Sequence, residues 1–112
     1  MKILIYDNQL AYYELMKSNF QSGYEFSLYE SESDKSIDIE YDMLMFFLYD
    51  ELELLGFMKL YREDIPVVLG LSGMNKINDR RVEGNIYYLH LDKFKEEIIE
   101  DVKMLLEKIG KQ

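Results

Sequence analysis

Apolar residues along this chain gather into five short runs, and amphipathic stretches separate them. The first run, Lys2-Ile3-Leu4-Ile5-Tyr6, has the length of a buried strand. Leu10, Tyr13, Met16 or Lys17, and Phe20 then recur at a spacing of three to four, which predicts a helix over 9–20. Asn8 is placed to cap that helix and Gly23 to end the element. Residues 24–29, Tyr-Glu-Phe-Ser-Leu-Tyr, alternate and predict a second strand. Met43 to Leu48 is apolar throughout, as in a central strand covered on both faces. A helix is predicted over 50–62, with Leu52, Leu55, Met58 or Lys59, and Leu60 as its apolar stripe. Pro66 opens the next strand, Val67 to Leu71, a position where proline is tolerated. Gly70, Ser72 and Gly73 end it in a small-residue turn, and Ile86 to Leu91 forms a fifth strand. Phe94, Ile98, Val102, Leu105 and Ile109 fall at spacings of four, four, three and four, which marks the clearest helix, closed by Gly110. The stretches 30–40 and 74–83 are polar, with room for a short helix each. Strand and helix thus alternate about five times, the order of a doubly wound parallel α/β sheet.

Composition narrows the class. The 112 residues, 48 % of them apolar, make one domain, 1–112, with a real core. No run approaches the ~20 apolar residues that span a bilayer, and the start lacks a signal peptide's apolar region. Cysteine is absent, which removes disulfides, thiol nucleophiles and thiolate metal sites. The expected location is the cytoplasm. A net charge of −9 argues against nucleic acid and anionic membranes as partners. Lys76, Arg80 and Arg81 form the one local basic cluster, read first as a solvated loop.

Phosphate-binding signatures are missing. Neither a P-loop nor a Gly-x-Gly-x-x-Gly pattern occurs, and Asp7-Asn8-Gln9 after the first strand holds no glycine. His90 is the sole histidine and no nucleophile elbow accompanies it, so it reads as a structural or rim residue. Asp7 ends the first strand, and parallel sheets gather their sites at strand carboxyl ends. Two roles are open to it: a cap on the following helix, or a metal ligand.

Taken together, Ile3-Leu4-Ile5-Tyr6-Asp7-Asn8, Asp42-Met43-Leu44-Met45-Phe46-Phe47, Leu52-Glu53-Leu54-Leu55, Ile65 through Gly73 and Phe94-Lys95-Glu96-Glu97-Ile98 resemble the receiver domain of bacterial two-component response regulators. The resemblance implies a five-stranded, flavodoxin-like three-layer sandwich. It also implies a chemistry: an aspartate phosphoacceptor, acidic residues holding Mg2+, a hydroxyl that senses the phosphoryl group and a lysine that pairs with it. Mg2+ is a hard ion that takes oxygen ligands in octahedral geometry.

Here that set is depleted. Asp7 matches the first acid, but the second is Asn8. The acceptor position falls on Phe47. The hydroxyl falls on Ser72, which also reads as a turn residue. The lysine position falls on His90 or Leu91, and Lys93 lies too far along without a register shift. Asp50 is the alternative phosphoacceptor, although its place at a helix start also suits a residue facing the helix dipole. The expectation is therefore a pseudo-receiver that is not an enzyme, holds no cofactor and acts by protein–protein association. Its partner is a signalling protein or a second copy, met through the fifth strand and last helix. Tyr87, Tyr88 and His90 are the candidate contacts, with one of the two tyrosines pointing outward. Two alternatives stand beside it: a phosphorylatable receiver using Asp50 or Asp7 with Mg2+, and a flavodoxin-like ligand binder or enzyme.

Overall fold

The computed structural model describes residues 1–20, 22–29, 41–49, 52–71 and 84–110. The predicted short helices in 30–40 and 74–83, the basic cluster and the site candidates Asp50 and Ser72 lie outside these residues.

Five strands form one parallel sheet: β1 (Lys2–Tyr6), β2 (Glu25–Leu28), β3 (Met43–Leu48), β4 (Val67–Leu71) and β5 (Ile86–His90). Their order is β2-β1-β3-β4-β5, the doubly wound, flavodoxin-like arrangement. Among the described residues three helices accompany them, α1 (Ala11–Asn19), α2 (Glu53–Leu60) and α3 (Lys95–Gly110). No helix among the described residues is long and apolar enough to cross a membrane.

Alternation along each strand sends side chains to two layers. Ile3, Ile5, Met43, Met45, Phe47, Val68 and Leu89 pack with Met16 of α1 and with Ile98, Val102, Leu106 and Ile109 of α3. Leu4, Leu44, Phe46, Leu48, Val67, Leu69 and Leu71 pack with Phe57 of α2. All of β3 and β4 is buried, so their unbroken apolar runs reflect cover on both faces. Each such Leu, Ile, Val or Phe contributes about 1.5–3 kcal/mol by leaving water.

Three expectations change. Most of the stripe read for α2 faces outward: Leu52, Leu55 and Met58 are 80, 66 and 71 % exposed, while Leu60 packs against the core. The inward face carries Glu53 and Phe57, with Gly56 over Phe46 and Tyr6. Periodicity alone does not choose between two apolar stripes. The sheet chooses, because the Phe46 ring, stacked on Tyr6 at 4.0 Å, takes Phe57 edge-on at 5.2 Å. Leu10 lies outside α1, exposed, with a left-handed backbone (φ 65°). Phe94 precedes α3 and is exposed, its N–H meeting Glu97 Oε1 in half of a capping box.

Candidate functional site

The site is built where β1 and β3 end side by side, in the register Tyr6 to Phe46. Asp7 follows directly and is buried. Its Oδ2 accepts the backbone N–H groups of Tyr12 and Tyr13 at 2.8 and 2.9 Å. Its Oδ1 accepts the Gln9 N–H at 3.1 Å and the Tyr49 hydroxyl. The N-cap residue of α1, Leu10, has no side-chain oxygen to offer. Asp7 therefore caps the helix from outside it, with its charge at the positive end of the helix dipole. A carboxylate has about four lone-pair directions, and four donors occupy them here. A cation at Asp7 would have to displace a donor. Among the described residues no cluster of three or more His, Asp or Glu side chains is arranged to hold a metal.

Asn8 is exposed and turns to α2, donating from Nδ2 to Glu53 Oε2 at 2.5 Å. Glu53 is buried, and its Oε1 accepts the Tyr49 N–H at 2.7 Å. An acid at position 8 would face Glu53 with like charge. The neutral amide turns that contact into a charge-assisted bond.

Phe47 is fully buried and stacks on Tyr12, ring centroids 4.8 Å apart. Its register partner in β4 is Gly70. A Cβ there would stand 2.7 Å from Phe47 Cδ1 and 3.3 Å from Leu91 Cδ1, so only glycine leaves room for the ring. The position read as the acceptor is thus an aromatic plug.

Tyr49 joins the two acids. Burial pushes its hydroxyl far above the ordinary tyrosine range, and the bond to Asp7 and that residue's charge push the same way. Tyr12 is raised by burial, then by Asp7 and Asp92. Tyr6 is raised chiefly by burial, against a lowering bond from Asn8. A raised folded-state value makes the unfolded chain lose its proton first. The stability these groups contribute is present below the unfolded value of 10.0 and falls as pH rises above it. Each fully shifted tyrosine steepens that loss by about 1.4 kcal/mol per pH unit. Tyr49→Phe is expected to flatten the alkaline limb by up to that amount and to cost about 1 kcal/mol at neutral pH. Urea unfolding of both proteins between neutrality and strong alkali reads this directly, and identical slopes would refute it.

The remaining candidates separate. His90 is exposed at the end of β5. Tyr87 is buried toward α3, with the Lys108 ammonium 5.8 Å from its ring centroid. Tyr88 is half-buried and packs against the opposite layer, so neither tyrosine stands fully outward. Lys93 is held by Asp101 at 2.6 Å, along α3. Beside β5 and α3 runs a groove of about 460 Å3, bounded by Tyr88, His90, Lys93, Met104, Leu105 and Lys108.

Sequence reasoning missed Tyr49 and Glu53 as members of this network. Their signal is a polar tip directly after the central strand and, four residues on, an acid at the start of a helix. Comparison with known proteins finds no family model and no curated protein that matches the chain.

Proposed function

We propose that this chain is a receiver-like signalling domain whose phosphotransfer centre is closed, and that it acts by protein–protein association. One observation carries the reading: the carboxylate at the end of β1 already accepts four hydrogen bonds, while Phe47, at the position the resemblance reads as the acceptor, is a buried ring. The strand order supports the receiver-like part of the reading. With the neutral Asn8 at the second position, the acidic pair that the resemblance implies for Mg2+ is reduced to Asp7. The groove beside β5 and α3 suits a protein contact. It pairs apolar Leu105 and the exposed Met104 with the Lys93–Asp101 ion pair, Lys108 and the exposed His90. A signalling protein or a second copy of the chain is the expected occupant.

The test is incubation with acetyl phosphate and Mg2+, followed by intact-mass and peptide mapping. The expected result is an unmodified chain. Stoichiometric phosphoryl transfer to Asp50 or Asp7 overturns the proposal and restores the phosphorylatable alternative.

A further inference from the structure

The end of the sheet that holds Asp7 carries apolar side chains that nothing in the closed network uses. Leu10, Leu52 and Phe94 each stand immediately before one of the three helices, and they are 45, 80 and 77 % exposed. Helix starts ordinarily carry Ser, Thr, Asp or Asn at this place. Leu10 is the sharpest case. Its backbone is left-handed, whereas the chain uses glycine at its other described positive-φ positions, Gly23 and Gly84. A leucine there bears steric strain that glycine would not, and its side chain is not buried in return.

The turn that presents it is also rigid. Asp7 grips the segment through Gln9, Tyr12 and Tyr13, and Tyr49 grips Asp7. The bond from Asn8 to Glu53 ties this turn to the one that presents Leu52. Asp92, just ahead of Phe94, lies near enough to Tyr12 for its charge to act on the hydroxyl. Strained, exposed residues on a rigid support are typical of sites that meet a partner.

The surrounding charge selects that partner. Glu14 lies in the first turn of α1, Glu96 and Glu97 in the first turn of α3, and Asp92 is exposed; against these four acids stand the exposed Lys93, which is paired with Asp101, and Lys95. The whole chain carries −9. A second copy would bring the same charge and meet repulsion. We propose that this rim is a docking surface for a basic amphipathic helix of another protein. Leu10, Leu52 and Phe94 supply its apolar contacts; Glu14, Asp92 and Glu96 meet its cations. The inference rests on the association reading above.

A fluorescent synthetic peptide of about 18 residues, with Leu and Lys at helical period, is the probe. Fluorescence anisotropy is expected to show saturable binding that weakens with salt. A matched Leu/Glu peptide is expected not to bind. The combined Leu10→Gly, Leu52→Ala, Phe94→Ala variant is expected to bind about tenfold more weakly or worse. All three positions are exposed, and Leu10→Gly relieves strain, so thermal unfolding is expected to stay at or above the parent value. Met104→Ala, in the groove beside α3, is expected to leave binding unchanged. Undiminished binding by the triple variant overturns the rim, as does loss confined to Met104→Ala, which leaves the association reading intact. Sedimentation showing a homodimer that the triple variant loses replaces the basic partner with a second copy. Phosphoryl labelling, tested separately, bears on the association reading alone.

Discussion

Phe47→Ala is expected to lose about 3–5 kcal/mol of stability, the range for truncating a fully buried aromatic residue. The ring is stacked on Tyr12 and fills the space over Gly70. Phe47→Asp, which places a carboxylate at the position read as the acceptor, is expected to be worse than alanine. Its carboxylate would enter a dry layer near the charge of Asp7, with no cation to balance it. It is expected to leave the chain largely unfolded and unlabelled by acetyl phosphate. Gly70→Ala gives a cross-check. Alone it is expected to cost about 1–3 kcal/mol through overpacking against the Phe47 ring. In the Phe47→Ala background most of that cost is expected to vanish, a coupling of about 1 kcal/mol or more. Urea unfolding of the four proteins of this cycle measures it. A Phe47→Asp protein that folds as firmly as the parent and takes up phosphate would show that the plug is not what closes the site.

What could be read from the sequence followed the strength of the local signal. The strands were legible because β1, β3 and β4 are nearly unbroken apolar runs, and a chain has few ways to bury such runs except in a sheet covered on both sides. The place of α3 was legible from its three-to-four apolar spacing, although Leu106 rather than Leu105 is fully buried. The orientation of α2 was not. Its sequence offers two apolar stripes, and the choice depends on Phe46 in the preceding strand and on Tyr6, far away in the chain. Leu10 misled because its spacing continues the helical period one step beyond the true start of α1. At the site, the burial of Phe47 was legible from its place within the apolar run of β3. The bonds from Tyr49 to Asp7 and from Asn8 to Glu53 were not, since they join residues more than forty positions apart. Asp7 had two possible roles in the sequence, and its four donors decide between them.

That decision has a measurable consequence. Asp7→Asn keeps the size of the side chain but not its acceptor capacity. The amide has one carbonyl oxygen, and its NH2 group is a donor facing donors. At least one pair among the Gln9, Tyr12, Tyr13 and Tyr49 donors loses its acceptor, and α1 loses the charge at its N-terminus. Capping alone accounts for about 1–2 kcal/mol, and an unsatisfied donor in a buried setting for about 1–3 kcal/mol more. The expected total is about 2–5 kcal/mol, read from urea unfolding, with faster amide exchange confined at first to the start of α1. The same pair of proteins separates the cap from the metal ligand. If Asp7 served Mg2+, about 10 mM of the ion would stabilise the parent by mass action and leave Asp7→Asn unmoved. A cap with no lone pair to spare requires the opposite pattern: Mg2+ shifts neither protein, and the asparagine variant stays less stable by the same margin with or without the ion.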